Sequence, residues 1–145
     1  MEVVTTIAED RSVRQVAPGA DEELAEAATG MGADVVFIHG PISAAMPPGC
    51  SRVAVETVEE MYDAVLENLP DSQALVMAAA VADFRPAEVS AQKIKKRGEI
   101  PLIELTRNPD ILQRVAEARK ATGAPRVVVG FAAETQDLLA NAQEK

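Results

Sequence analysis

Hydrophobic residues gather along this chain in short blocks that are separated by polar, helix-forming segments. The apolar blocks predict strands at residues 3–7, 34–39, 51–55, 75–80 and 126–131, and a short extended piece at residues 102–105. The segments between them predict helices at residues 21–29, 57–69, 108–121 and from residue 136 onward. Strands and helices therefore alternate along most of the sequence.

The second predicted helix has the clearest boundaries. Thr57 is followed three residues later by Glu60, a pair that is typical of a capping box at a helix N-terminus. Met61, Val65 and Leu69 then share one face, as expected for a helix that buries one side.

Residues with known capping preferences also mark the ends of the first and third predicted helices. Residues 30–32, Gly-Met-Gly, predict the turn that ends the first helix. Asn108 is expected to cap the third helix, with Pro109 at the first helical position and Asp110 in the first turn. Gly123 is expected to end that helix.

Unbroken apolar strands that alternate with helices are typical of a parallel sheet covered on both faces. We therefore predict an α/β fold, a Rossmann-like three-layer domain with a mainly parallel sheet, in which residues 1–145 form a single domain. The first strand leads into Ala-Glu-Asp-Arg at residues 8–11, without a Gly-x-Gly-x-x-Gly or Walker sequence. An NAD-type dehydrogenase and a P-loop enzyme are therefore disfavoured.

The composition narrows the class of protein. Hydrophobic residues make up 48% and charged residues 26% of the chain, which is typical of a globular protein. The net charge of −9 disfavours binding to bulk nucleic acid, and the apolar runs are too short to cross a membrane. Cys50 is the only cysteine, so no intrachain disulfide can form, and the N-terminus lacks a secretory pattern. We therefore expect a cytoplasmic protein.

The segment that follows the strand at residues 75–80 carries the most informative chemistry. This strand ends in alanines and is followed by Asp83, at the edge where open α/β sheets bind their ligands. Ten residues beyond Asp83, four cations fall within residues 93–97. In an acidic chain this basic cluster indicates an anionic ligand such as phosphate. The alternative is a core strand that runs into a solvated loop.

The remaining candidates are weaker when each is taken alone. His39 is the only histidine and has no partner at zinc-ligand spacing, so a structural role is favoured over a catalytic one. Cys50 lies in no arrangement that suggests a nucleophile. Phe131 follows a predicted strand and either stacks on a base or packs in the core. The helix start at residues 108–110 could also bind an anion.

Four segments in a fixed order together resemble a known family. They are Ala-Ala-Val-Ala-Asp-Phe at residues 79–84, Lys-Ile-Lys-Lys at 93–96, Asn-Pro-Asp-Ile at 108–111 and Gly-Phe-Ala-Ala-Glu-Thr at 130–135. In this order and spacing the chain resembles phosphopantothenate–cysteine ligase, the C-terminal synthetase half of the bacterial bifunctional coenzyme A biosynthesis flavoprotein. The resemblance extends over residues 24–145.

The resemblance implies a ligation in two steps. CTP would activate the carboxylate of 4′-phosphopantothenate as an acyl-cytidylate and release pyrophosphate. The amine of cysteine would then attack, giving an amide and CMP. Cations and Mg²⁺ would neutralise the charge that develops where a triphosphate meets a carboxylate.

The resemblance also implies roles for particular residues. Lys93, the first lysine of the basic segment, would contact the nucleotide phosphates and serve as the catalytic residue. The nucleotide site would comprise Met77, Ala78, Ala79, Asp83, Lys93, Pro109, Asp110, Ile111, Leu112, Phe131 and Lys145. No side chain is predicted as a metal ligand. The implied partners are the small molecules themselves, a second copy in a homodimer, and a flavin-containing decarboxylase domain, with neither nucleic acid nor membrane.

The chain departs from the family pattern at both ends. The family carries a Gly-rich first turn and a Ser-Asn-Arg-Ser-Ser-Gly segment whose asparagine is linked to the acyl-cytidylate, and residues 8–20 contain no asparagine. The carboxyl end is also shorter than in the family, so we expect truncation at both ends. Three interpretations follow: a ligase or its core, a CTP-binding module that has lost catalysis, and a structural domain that pairs with another chain.

Overall fold

The computed structural model describes residues 2–7, 20–41, 47–79, 81–89 and 102–131, which contain seven strands and three helices. In chain order they are β1 (Glu2–Ile7), α1 (Ala20–Gly30), β2 (Asp34–His39), β3 (Ser51–Ala54), α2 (Val58–Asn68), β4 (Ala74–Met77), β5 (Phe84–Pro86), β6 (Leu105–Arg107), α3 (Ile111–Thr122) and β7 (Val127–Gly130). The helix predicted from residue 136 onward lies outside the described residues. None of the described helices is long and apolar enough to cross a membrane.

Five of these strands form one sheet, in the order β3-β2-β1-β4-β7, and every pair in it is parallel. The chain places β2 and β3 on one side of β1, and then β4 and β7 on the other side. The order therefore reverses between β1 and β4, which is the point where doubly wound sheets open a crevice for a ligand. The predicted mainly parallel sheet is confirmed.

Helices cover both faces of the sheet, and each face has its own core. Successive residues of a strand point to opposite faces, so Phe37 of β2 lies on the side of α1 whereas Ile38 lies on the side of α2. The core on the α1 side contains Ala25, Ala33, Val35 and Phe37. The core beneath α2 and α3 contains Ile38, Val55, Met61, Ala64, Val65, Leu69, Leu75, Met77, Ala79, Ile111 and Val115. The predicted three-layer α/β fold is confirmed.

Helix α2 begins with the predicted capping box. The Oγ1 of Thr57 accepts from the Glu60 N–H at 3.2 Å. The Glu60 carboxylate accepts in return from the N–H groups of Glu56 at 2.7 Å and Thr57 at 3.0 Å. These backbone bonds, Glu56 first and then Thr57, hold the pKa of the exposed Glu60 carboxyl below its ordinary value. Met61 and Val65 are buried, as the face of the predicted helix requires.

Helix α3 begins later than the sequence suggests. Its N-cap is Asp110, whose carboxylate accepts from the Gln113 N–H at 2.9 Å. The prediction that Asn108 caps the helix is wrong, because the Asn108 side-chain amide is engaged with residues far away in the sequence. The end of the helix is as predicted: Gly123 adopts the left-handed conformation with φ 77°, and its N–H donates to the Arg119 carbonyl at 2.8 Å.

A two-stranded antiparallel arm, β5 and β6, stands apart from the main sheet and was not predicted as a pair. Arg85 of β5 lies opposite Thr106 of β6, and the Ala87 N–H donates to the Glu104 carbonyl at 2.9 Å. The expected extended piece at residues 102–105 thus forms a strand only from Leu105 onward. The strand predicted at residues 75–80 likewise ends at Met77.

Candidate functional site

The predicted nucleotide site begins where β4 and β7 end. Met77 is the last residue of β4 and pairs with Gly130, the last residue of β7. The Phe131 N–H then donates to the Met77 carbonyl at 3.1 Å. This bond fixes Phe131 beside the backbone that leads into Ala78, so two parts of the predicted site meet at the carboxyl edge of the sheet.

The segment after β4 is bound to the segment before α3 through Asn108. The Asn108 N–H donates to the Asp83 carbonyl at 2.9 Å, and its side-chain Nδ2 donates to the Ala82 carbonyl at 2.7 Å. Pro109 follows directly in the chain and Asp110 then caps α3. We call residues 82–85 and 107–110 the junction, because these bonds join two segments of the predicted site that are more than twenty residues apart in the sequence.

The first turn of α3 packs under the same edge. Ile111 is buried in the core that also contains Met77 and Ala79. A Cβ at Gly130 would lie 3.1 Å from Leu112 Cδ1, so the glycine permits the close approach of α3 to the end of β7. The structure therefore brings together the described residues of the predicted site around one corner of the domain.

Within this corner the side chains differ sharply in burial. Met77, Ala79 and Ile111 are 6%, 7% and 2% exposed, so they form the floor of the corner. Phe131 is 59% exposed, and Asp83 and Asp110 are exposed. The alternative in which Phe131 is a core residue is therefore wrong. Ala78, Pro109 and Leu112 are partly buried and lie between these two groups in accessibility.

The basic cluster lies outside the described residues, as do Lys93 and Lys145, which are two of the predicted nucleotide contacts. Ala80 and the segment of residues 8–19, where the family asparagine was not found, also lie outside them. The described residues thus give the floor and one wall of the predicted site. The roles of the two lysines stay predictions.

Arg85 was not singled out from the sequence, and the structure gives it a central place in the junction. Its Nη1 donates to the Arg107 carbonyl and to Asn108 Oδ1, both at 2.9 Å. Its Nη2 lies 2.6 Å from Glu59 Oε1, in the first turn of α2. No local pattern could have found these contacts, because every partner lies more than twenty residues away.

The side chains of the other two candidates, His39 and Cys50, make polar contacts with residues close by in the sequence. His39 Nδ1 lies 2.8 Å from the Gly40 carbonyl oxygen, and its ring centroid is 5.5 Å from that of Phe37. The Cys50 thiol donates to the Pro47 carbonyl at 3.2 Å. These contacts are consistent with structural roles for both. Among the described residues, no three His, Cys, Asp or Glu side chains are grouped so that they could hold a metal ion.

Comparison with known proteins finds similarity over most of the chain. The family model of the DNA/pantothenate metabolism flavoprotein C-terminal domain matches residues 19–145. The coenzyme A biosynthesis bifunctional protein CoaBC of Vibrio vulnificus is 40% identical over 124 residues, which cover 84% of this chain and 30% of that protein. The CoaBC protein of Mycobacterium tuberculosis is 48% identical over 118 residues, covering 79% and 28%. The chain thus spans less than a third of the length of these curated relatives.

Two solved structures of related proteins are also similar to this chain. The crystal structure of the C-terminal domain of a CoaBC protein matches with a TM-score of 0.76 at 27% sequence identity, covering 99% of this chain and 70% of that one. The DNA/pantothenate metabolism flavoprotein of Streptococcus pneumoniae matches with a TM-score of 0.72, covering 99% and 75%. Its sequence identity is 20%, so this second match supports the fold alone.

Proposed function

This chain belongs to the family of the DNA/pantothenate metabolism flavoprotein C-terminal domain, and from that membership we propose that it is a phosphopantothenate–cysteine ligase domain that uses CTP. The family is the one expected from the four ordered sequence segments, so that expectation is confirmed. The names of the curated relatives, which are bifunctional proteins of coenzyme A biosynthesis, support the proposed pathway.

The observation that carries the proposal is the convergence at the carboxyl edge. Phe131, Asp83 and the Asp110 cap come from three separate segments, and hydrogen bonds to Met77 and Asn108 hold these segments at one corner of the sheet. Nucleotides bind outside the carboxyl ends of strands in sheets of this type. An exposed aromatic ring next to the small residues that follow β4 suits stacking on a planar base, and the exposed carboxylates of Asp83 and Asp110 suit its polar edges.

In the proposed reaction, the carboxylate of 4′-phosphopantothenate attacks the α-phosphorus of CTP, and the bond to pyrophosphate breaks. The amine of cysteine then attacks the acyl carbon, loses a proton and displaces CMP. We assign base stacking to Phe131, a contact with the nucleotide to Asp83, phosphate binding and the catalytic role to Lys93, and a further contact with the nucleotide to Lys145. Met77, Ala78, Ala79 and the turn of Pro109, Asp110, Ile111 and Leu112 would line the cytidine pocket.

Mg²⁺ is the metal that this chemistry calls for, since it neutralises charge on a triphosphate. Among the described residues, Asp83 and Asp110 each bring one exposed carboxylate to this corner, and Asp83 is the nearer of the two in sequence to the end of β4. Such a donor set fits a Mg²⁺ ion that is bound by one carboxylate, by water and by the phosphates of the nucleotide.

The second candidate is a module that binds CTP without turnover. It is favoured by the absence of an asparagine from residues 8–20, where the family carries the residue linked to the acyl-cytidylate. A domain with a purely structural role is the third candidate, and it predicts no nucleotide binding.

Isothermal titration with CTP and Mg²⁺, and with ATP in parallel, tests the proposal. We expect binding that is selective for CTP. Phe131→Ala should weaken it by about 1–3 kcal/mol, the range measured for base–aromatic stacking. Val127→Ala is the matched control: Val127 is 52% exposed and begins β7, whereas Phe131 directly follows the other end of that strand. Equal losses in both variants would contradict the stacking role.

A pyrophosphate-release assay then separates the first two candidates. The ligase releases pyrophosphate when CTP and 4′-phosphopantothenate are present, and it releases CMP only after cysteine is added. A module that binds CTP tightly and releases neither product would establish the second candidate. If the chain binds neither CTP nor ATP, the third candidate, a domain with a purely structural role, is the one that remains.

The proposal extends to assembly and location. We propose a homodimer in the cytoplasm, working with a flavin-containing decarboxylase domain. Exposed apolar side chains on and beside the arm support burial against another chain; they are Phe84, Val89, Leu102, Ile103 and Leu105. Sedimentation equilibrium should give twice the mass of 15.4 kDa. A monomer at all concentrations would contradict the dimer.

A further inference from the structure

Arg85 connects α2, the end of β6 and the segment that leads into α3. One end of its guanidinium contacts Glu59 of α2, and the other donates to the Arg107 carbonyl at the end of β6 and to Asn108 before α3. The other ion pair between described residues, Arg114 with Glu117, joins neighbours on one face of α3. Of these two pairs, the Arg85 pair is therefore the one that crosses between elements.

The orientation of the Asn108 amide follows from its two partners. A guanidinium has only donors, so the atom that faces Arg85 must be the oxygen. A carbonyl only accepts, so the atom that faces Ala82 must be the nitrogen. Arg85 thus fixes which way the amide points, and the amide in turn binds the backbone of the segment that carries Asp83.

The geometry requires an arginine rather than any cation. The guanidinium presents several donors in a rigid plane, which lets it contact a carboxylate and two oxygen acceptors at once. A lysine ammonium is a single point charge on a flexible stem. It could keep the ion pair with Glu59, but it could not also donate to the Arg107 carbonyl and to Asn108 Oδ1.

We propose that Arg85 is a positioning residue that locks the junction and thereby sets the affinity of the site for the nucleotide. The proposal rests on the function proposed above, because the two segments that Arg85 joins through Asn108 carry the predicted contacts Asp83 and Asp110. Arg85 acts through Asn108. The pair with Glu59 orients the guanidinium and contributes little, since both side chains are about half exposed and such pairs are weak.

The first readout is amide hydrogen exchange and needs no ligand. Arg85→Met keeps an unbranched apolar stem in place of the aliphatic part of the side chain and removes every side-chain donor. We expect the Asn108 N–H, which donates to the Asp83 carbonyl, to lose about tenfold in protection, the scale of one hydrogen bond to a charged group. The Phe131 N–H, which donates to Met77, is the internal reference and should not change.

Two matched variants separate positioning from a general structural role. Glu59→Gln removes the ion pair but leaves both bonds of Arg85 to the junction, so Asn108 should keep its protection. Arg114→Met removes an equivalent exposed arginine of α3 and should have no effect at Asn108. Unchanged exchange at Asn108 in Arg85→Met, or equal loss in Glu59→Gln, would overturn the proposal.

The second readout is the affinity for CTP with Mg²⁺. We expect the dissociation constant to rise about tenfold in Arg85→Met, to recover only partly in Arg85→Lys, and to stay within about twofold in Glu59→Gln. If the unmodified chain does not bind CTP, the proposed function fails. The exchange data then decide only whether Arg85 holds the two segments of the junction together. If the unmodified chain binds CTP and Arg85→Met binds it equally well, the positioning role is overturned.

Discussion

The first turns of α2 and α3 have similar caps but differ in the contacts that surround the cap. Both helices begin with an oxygen-bearing side chain that accepts from a backbone N–H three residues later, Thr57 in α2 and Asp110 in α3. In α2 the reciprocal partner, Glu60, belongs to the same turn. In α3 the polar residue two positions before the cap, Asn108, contacts residues 23 and 26 positions earlier in the sequence.

This difference separates a cap whose hydrogen bonds serve only its own helix from a helix start whose hydrogen bonds also build a site. The contacts at Thr57 and Glu60 satisfy orphan N–H groups and involve no other element. The contacts at Asn108 hold the segment after β4 next to α3, so the start of α3 is part of the proposed nucleotide site. We therefore expect substitutions at the two starts to differ in both size and consequence.

The largest effect is expected from Asn108→Ala. The substitution removes the bond to Ala82 and leaves the Arg85 guanidinium without one of its acceptors, so the free energy of unfolding should fall by about 2 kcal/mol. Urea denaturation measures this loss. Asp110→Ala, which removes only the local cap, is the control and should cost about 1 kcal/mol. An Asn108→Ala loss no greater than the control would show that the junction adds nothing to a cap.

A smaller effect is expected from Thr57→Ala at the start of α2. Loss of the cap should lower the free energy of unfolding by about 1 kcal/mol, while Thr57→Ser should restore most of it. The affinity for CTP should stay unchanged in both variants, because α2 contributes no predicted contact. A large loss of CTP affinity in Thr57→Ala would break the contrast between the two helix starts.

The smallest effect concerns pH. The Glu60 carboxyl has a pKa below its ordinary value, so it stabilises the fold above the unfolded-state pKa and loses that contribution as pH falls through the folded-state pKa. Glu60→Gln keeps an acceptor in the capping box but cannot titrate. The variant should therefore lose less stability than the unmodified chain between about pH 6 and about pH 3. Parallel stability curves would contradict this role.

Sequence reasoning succeeded where the structure depends on near neighbours. The capping box of α2, the end of α3 at Gly123, and the alternation of strands and helices all follow from local patterns. The family followed from four short segments in order, and three of these, at residues 79–84, 108–111 and 130–135, contribute described residues that meet at the carboxyl edge.

Sequence reasoning failed where a residue bonds to partners that are distant in the sequence. Asn108 has a side chain that is suited to capping a helix, but its amide is hydrogen-bonded to Ala82 and Arg85. Asp110 caps α3 instead. The strand β5 has only three residues, one of them a proline, and it exists because β6 pairs with it from twenty residues away. No periodicity over so short a segment can reveal such a pair.

Hydrogen exchange with and without CTP and Mg²⁺ tests most directly whether this chain binds a nucleotide at the carboxyl edge of β4 and β7. We expect CTP to increase protection at residues 77–79, 82–85, 107–112 and 131, and to leave protection unchanged at the capping box of α2 and at the start of β7. Protection that appears elsewhere while this corner stays unchanged would contradict binding at this edge, as would no change in protection anywhere at saturating CTP.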